Sequence, residues 1–188
     1  MPNEVEIKFA IPDLKEIRSQ LTSQRFREVT PRTHEMNTLY DRPLRPLRRR
    51  GEILRIREFG NSWKLTHKAK GKDGRHKTRK ETETEVKDGR KLEEIFAAIG
   101  FKPAFRYEKF RSEWSDGAGH VVLDETPIGV YGEIEGPPRW IDRIAKLLGI
   151  TRDLYITKSY AELFYDWKRR TRSKAKNMTF AEIKKSRA

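Results

Sequence analysis

Three short segments of this 188-residue chain set like charges on alternate positions: Glu4-Val5-Glu6-Ile7-Lys8, Leu54-Arg55-Ile56-Arg57-Glu58 and Gly132-Glu133-Ile134-Glu135-Gly136. Successive side chains on a strand point to opposite faces, so each segment, read as a strand, carries one ionic face and one apolar face. A solvated outer face accounts for any one of them, because polar-out alternation is the ordinary state of antiparallel sheets. The segments also sort by sign. Carboxylates recur in pairs at Glu4/Glu6 and Glu133/Glu135, and cations at Arg55/Arg57 and Lys109/Arg111. That sorting points to one shared site.

The chemistry that needs such a set is the handling of a polyanion through metal ions. Hard divalent cations take oxygen ligands, and in phosphoryl sites they combine a few carboxylates with the phosphate oxygens of the substrate. Arg supplies forked donors, and Lys a point charge, for the remaining oxygens. Carboxylates alone would repel a phosphate, and cations alone would bind it without activating it. Together they suit metal-assisted phosphoryl or nucleotidyl transfer.

Periodicity gives strands over 3–11 and near 36–42, 52–59, 62–70, 77–87, 105–115, 119–125 and 130–136. Helices are expected over 13–24, with Leu14, Ile17 and Leu21 on one face; over 88–99, ended by Gly100; over 139–148, ended by Gly149; and from Ser159, with Tyr160, Leu163 and Phe164 together. Gly60-Asn61 and Lys72-Asp73-Gly74 read as turns. The glycines at 71 and 74 lack P-loop spacing, so that stretch reads as a hairpin tip, and Ser159 reads as a helix cap rather than a nucleophile. Hairpins join most strands. The fold class is therefore α+β, mainly antiparallel β: an eight-stranded closed or nearly closed barrel with helices packed outside, a size whose lumen holds side chains and one ligand. Alternation aims Glu4, Glu6, Lys8, Arg55, Arg57, Lys64, Lys68, Arg79, Glu81, Glu83, Lys109, Arg111, Asp124, Glu133 and Glu135 inward. It leaves Val5, Ile7, Leu54, Ile56, Leu65, Val121, Leu123 and Ile134 to pack outward. Unpaired buried charge costs several kcal/mol per ion, so such a lumen must be wet and occupied.

The low apolar content, 35%, suits a barrel with a charged interior. The absence of cysteine excludes disulfides, thiolate ligands and a Cys nucleophile, and the four histidines lack metal-ligand spacing, against a zinc site. No run approaches the ~18 apolar residues of a membrane helix and no apolar signal follows Met1, so a cytoplasmic protein without a membrane span is expected. The net charge of +14 is uneven: from Trp167 to Ala188 nine Lys/Arg face one acid, Glu182, so +8 sits there. The division expected is a tunnel domain over 1–166 and a basic tail over 167–188, solvated or weakly binding nucleic acid or polyphosphate without sequence specificity.

Glu4-x-Glu6-x-Lys8 resembles the ExExK signature of the CYTH superfamily, the triphosphate tunnel metalloenzymes, which include class IV adenylyl cyclases, thiamine triphosphatases and inorganic tripolyphosphatases. The resemblance continues in order through Thr38-Leu39-Tyr40-Asp41, Leu54-Arg55-Ile56-Arg57, Leu65-Thr66-His67-Lys68, Arg79-Lys80-Glu81-Thr82-Glu83, Lys109-Phe110-Arg111, Leu123-Asp124, Glu133-Ile134-Glu135 and Ser159-Tyr160. It implies a triphosphate held by Lys8, Arg55, Arg57, Lys68, Lys109 and Arg111, with Lys64 and Arg79 also facing it and Lys158 at a tunnel mouth. It implies Mg²⁺ or Mn²⁺ held by Glu4, Glu6, Asp124, Glu133 and Glu135, and Glu81 or Glu83 ordering a catalytic water. Hydrolysis of an inorganic or organic triphosphate (tripolyphosphate, ATP or thiamine triphosphate) is the reading preferred, because every identified residue addresses phosphate or metal and none reads adenine. Cyclisation of ATP to cyclic AMP and pyrophosphate is the alternative, and a non-catalytic polyphosphate- or RNA-binding module a second.

Overall fold

The computed structural model describes residues 3–71, 74 and 76–187, the side chains of Asn3, Glu4, Lys77 and Arg187 excepted. Its elements in order are β1 (Asn3–Ala10), α1 (Leu14–Ser23), β2 (Arg27–Asp41), α2 (Pro46–Arg49), β3 (Ile53–Phe59), β4 (Ser62–Lys68), β5 (Lys77–Val86), α3 (Gly89–Ala98), β6 (Lys102–Ser115), β7 (His120–Thr126), β8 (Gly129–Glu135), α4 (Pro138–Leu147), α5 (Tyr160–Thr171) and α6 (Phe180–Arg187). The strands close into one barrel in the order β1-β5-β4-β3-β2-β6-β7-β8, each neighbour antiparallel. The expected α+β barrel with helices outside is the fold observed.

Residues directly opposite on paired strands share a face, so the register decides what meets inside. Glu6 lies opposite Glu135, Lys8 opposite Glu133, Glu35 opposite Lys109, Arg111 opposite Asp124, Arg57 opposite Lys64, and Lys68 opposite Glu81. All but two of these pairs join opposite charges. The other face is apolar. Ile7, Val121, Leu123 and Ile134 pack against Ile17 and Leu21 of α1 and Ile141 and Ile144 of α4, while Ile56, Leu54 and Leu65 pack beneath Phe96 and Leu92 of α3. Gly132 lets the Phe9 ring lie across β8; a Cβ there would stand 2.1 Å from that ring.

β2 starts at Arg27 rather than near residue 36. Its first half is exposed on both faces, so it has no apolar alternation to read, and its ladder to β6 holds it. The single-turn α2 has no sequence signal either. It forms because the Asp41 carboxylate accepts from the backbone N–H groups of Arg42, Leu47 and Arg48 at 2.8, 3.2 and 3.0 Å. Ser159 caps α5 in a reciprocal capping box with Glu162, as expected. The Lys72-Asp73 hairpin tip lies outside the described residues.

The expected boundary after Asp166 falls inside α5, and the chain beyond it packs on the barrel: Trp167, Ala175, Met178 and Ile183 are buried with Phe105, Tyr107, Tyr160 and Phe164. The cause is an open sheet edge. β7 pairs with β6 only from Phe110 onward, which leaves the edge of β6 before it unpaired by the barrel. The Met178 N–H donates to Arg106 O and its carbonyl accepts from the Glu108 N–H, both at 3.0 Å, and Asn177 Oδ1 accepts from the Arg106 N–H at 2.9 Å. The Glu108 carboxylate then accepts from the backbone N–H of Phe180 at 2.6 Å, anchoring the start of α6. No helix among the described residues is long and apolar enough to cross a membrane.

Candidate functional site

The barrel encloses a cavity of about 640 Å³ lined by Glu6, Lys8, Arg55, Arg57, Lys68, Arg79, Glu81, Glu83, Lys109, Arg111, Glu133 and Glu135, among others. Those twelve charged side chains were all expected to face inward. Three other expectations fall elsewhere. Asp124 lies behind the lining, fully buried; Lys64 is partly exposed and reaches the site through Glu83 at 3.0 Å; Lys158 stands outside the tunnel, paired with Asp166 at 2.6 Å. Glu4 lies opposite Arg79 in the ladder, and its side chain is outside the described residues.

On one wall, cations and carboxylates alternate in contact. Lys8 Nζ is 2.6 Å from Glu133, whose other oxygen is 2.6 Å from Arg111. Arg111 also makes a fork to Asp124, with both bonds at 2.7 Å, and Asp124 accepts further from Lys109 at 2.8 Å and from the Tyr160 hydroxyl at 2.6 Å. Four donors thus occupy its two oxygens, and it does not join the group that could hold a metal. That group is Glu6, Glu133 and Glu135, with one oxygen from each within 4.8 Å of the others. Three hard oxygen donors on two adjacent strands fit a divalent cation of the Mg²⁺ or Mn²⁺ kind and suit neither zinc nor copper.

On the facing wall Glu83 gathers Lys64 at 3.0 Å, Arg57 at 3.2 Å, the Thr66 hydroxyl at 2.8 Å and, more distantly, Arg55 at 3.7 Å, while Lys68 pairs with Glu81. Between the walls stands Glu35, fully buried and missed by the sequence reading. Lys109, Arg57 and Arg111 surround it at 3.4, 3.8 and 3.9 Å, Asn37 donates to it at 2.8 Å, and its Oε2 has no hydrogen bond. Its signal is the alternation of Glu35, Asn37 and Leu39, which begins one residue ahead of the strand expected near 36–42. Tyr160, read as one of an apolar helical face, instead turns its hydroxyl to Asp124 and its ring to Lys8 and Lys109, at 4.6 and 4.8 Å.

These contacts fix the charge states. Burial opposes ionisation of Lys8, but Glu133 and Glu6 outweigh it and its pKa is raised. Burial likewise opposes a charged Glu133 and Glu35; Lys8 and Arg111 for the first, Lys109 and Arg111 for the second, overcome it and hold both below the ordinary carboxylate range. Burial, then Asp124, keeps the Tyr160 hydroxyl protonated. Lys8, Glu35 and Glu133 are therefore held in their charged forms, with a carboxylate group beside the cations that line the cavity.

A family model described as the CYTH domain matches residues 2–155. A protein of Methanocaldococcus jannaschii named as a candidate adenylate cyclase is 30% identical over 171 residues, 85% of this chain and 97% of the relative. Among solved structures, a protein of Pyrococcus horikoshii is 27% identical with a TM-score of 0.73, covering 87% of this chain and 98% of its own. A candidate adenylate cyclase from Vibrio parahaemolyticus shares the fold at 19% identity and a TM-score of 0.77, covering 86% and 97%. The barrel, the ordered motifs and the family match over most of the chain lead to one conclusion: this chain belongs to the CYTH family.

Proposed function

We propose that this protein is a metal-dependent triphosphatase that hydrolyses an inorganic or organic triphosphate inside the barrel, with Mg²⁺ or Mn²⁺ as cofactor. The observation that carries the reading is the convergence of seven Lys/Arg side chains and the Glu6/Glu133/Glu135 group on one enclosed cavity. A pure anion receptor gains nothing from that carboxylate group.

Lys8, Arg55, Arg57, Lys68, Arg79, Lys109 and Arg111 bind the phosphate oxygens through charge-assisted hydrogen bonds. Glu6, Glu133 and Glu135, with Glu4 adjoining on β1, hold the metal, which supplies Lewis-acid polarisation of phosphate oxygens. Asp124 orients Lys109 and Arg111 rather than ligating. Glu81 and Glu83, on β5 across the lumen, order the attacking water and take up its proton. Lys64 and Lys158 meet substrate only at the margins. Charge developing on the transferred phosphoryl group forms where the cations already stand, so the site requires little reorganisation during reaction.

Cyclisation of ATP uses the same cradle, and the name of the Methanocaldococcus relative favours it as the second reading. Purified protein with Mg²⁺ or Mn²⁺ is assayed against tripolyphosphate, ATP and thiamine triphosphate, with phosphate, pyrophosphate and cyclic AMP read separately. Release of phosphate is expected. Cyclic AMP with equimolar pyrophosphate would establish the cyclase instead, and binding without turnover of any substrate would make the tunnel a receptor.

A further inference from the structure

Two stretches of the chain carry cations without a carboxylate: five arginines within residues 42–50, and six Lys or Arg within residues 167–176. The fold brings them together on the outside of the barrel. The first forms α2 and the turn before it, the second the last turn of α5 and the chain after it, and the Arg48 guanidinium lies 5.3 Å over the Tyr165 ring of α5. Here runs a groove of about 740 Å³, lined by Arg48 of α2 and by Lys158, Tyr165, Lys168, Arg169 and Arg172 on and beside α5. It shares no lining residue with the tunnel. Positions 162, 165, 166 and 169 recur at the three- and four-residue spacing of neighbours on a helix, so the floor of the groove is one face of α5. We propose that this groove binds the sugar-phosphate backbone of a nucleic-acid duplex, without sequence selectivity, at a surface separate from the tunnel.

Charge supports it first. The two carboxylates in the groove are engaged: Glu162 in the capping box with Ser159, and Asp166 with Lys158 and Arg169. Among the described residues, by contrast, Arg48, Lys168 and Arg172 have no carboxylate within 4.0 Å. Rigidity supports it second. Trp167 and Phe164 seat α5 in the core, and the pairing of Met178 with β6 holds the segment after it. Across the groove, Leu44 and Arg45 stand in left-handed backbone, φ 67° and 52°, which non-glycine residues keep only where surrounding bonds enforce it; the Asp41 carboxylate supplies those bonds to Arg42, Leu47 and Arg48. Dimensions support it third. The 12 residues of α5 give about 18 Å of axis, the span of about five phosphates along one strand of a duplex. The same features select among polyanions. Binding of a single strand draws on exposed aromatic faces for its bases, and the ring in this groove, Tyr165, is covered by Arg48. A bilayer presents a flat anionic sheet, from which a groove withdraws its cations, whereas a duplex backbone is a ridge of charge that enters it.

The test uses the full chain with blunt RNA and DNA duplexes that end in 5′-hydroxyls, so that no terminal phosphate is offered to the tunnel. Affinity is read by fluorescence anisotropy over a range of salt. The wild type is expected to bind the duplexes about fivefold or more tighter than the matching single strands, with log affinity falling linearly in log salt. The triple variant Arg48→Gln, Lys168→Gln, Arg172→Asn should bind about tenfold or more weakly at low salt, with a salt slope shallower by about two to three and an unchanged melting transition; Asn suits the left-handed backbone at Arg172, φ 55°. Arg48→Gln alone should produce part of that loss, because α2 forms one side of the groove. Absence of duplex binding by the wild type, or unchanged affinity in the triple variant, overturns the proposal. Single strands bound as tightly as duplexes overturn it too. A loss on Lys168→Gln, Arg172→Asn with none on Arg48→Gln overturns the groove in favour of the C-terminal segment acting alone. Leu44, 82% exposed on the turn before α2, is the side chain a bilayer would bury; binding to phosphatidylserine vesicles that Leu44→Ser abolishes, without duplex binding, overturns the proposal in favour of a membrane surface.

Discussion

Glu35 shows how a single buried carboxylate organises the site. It is an anion among Lys109, Arg57 and Arg111 with one oxygen not hydrogen-bonded, so its value is electrostatic: it keeps three like charges at working distance from one another. Glu35→Gln preserves shape and removes that charge. We expect a stability loss of about 3 kcal/mol, typical of breaking a buried ionic cluster from one side. We also expect tripolyphosphate to raise the melting temperature more in the variant than in the wild type, because the substrate replaces the missing anion. A variant as stable as the wild type would refute the role. Glu135→Gln is read at the metal group. Glu135 and Glu6 lie directly opposite on β8 and β1, and with Glu133 each brings one oxygen within 4.8 Å of the others. Replacing one carboxylate should weaken Mn²⁺ binding about tenfold or more and abolish turnover in a protein that still folds; Mn²⁺ titration followed by electron paramagnetic resonance, beside a melting curve, checks both.

At the level of elements, the segment after α5 acts as an added edge on β6. Met178 is fully buried and its backbone completes the hydrogen bonding of Arg106 and Glu108. Met178→Ala should therefore cost about 2–4 kcal/mol, the range for large-to-small changes in a packed core, measured by urea denaturation. Truncation after Asp166 removes Trp167, Met178 and Ile183 together and should destabilise the domain more than Met178→Ala does; an unchanged melting transition would return the segment to the status of an appendage. The same reasoning explains why β2 was read short. Its first half gains its place by pairing with β6, and backbone pairing leaves no trace in side-chain periodicity.

For the whole molecule, the charged lumen sets a pH window. Glu35 and Glu133 are held below the ordinary carboxylate range when folded, so the stability they contribute is complete above about pH 4.3 and is lost as pH falls below it. Lys8 is raised, so its contribution is complete below about pH 10.4 and is lost as pH rises beyond it. Chemical denaturation midpoints should form a plateau between about pH 5 and 10 and fall at both ends; a decline already at pH 6 would show that these ion pairs do not carry the fold's pH response. The residue pattern itself determined the existence of the barrel and the membership of its lining. A period of two assigns every residue of a strand to one face, and that rule needs no knowledge of neighbours. Glu6, Lys8, Arg55, Arg57, Glu133 and Glu135 were legible for this reason. Tertiary structure alone decided which of them meet. Register placed Glu6, Glu133 and Glu135 within one ion's reach while four donors drew Asp124 away, although all four look alike in sequence. It also turned the basic C-terminal segment into part of the wall, because an unpaired strand edge and a buried methionine outweigh the solvation of scattered surface charge, and neither is visible until the chain has folded.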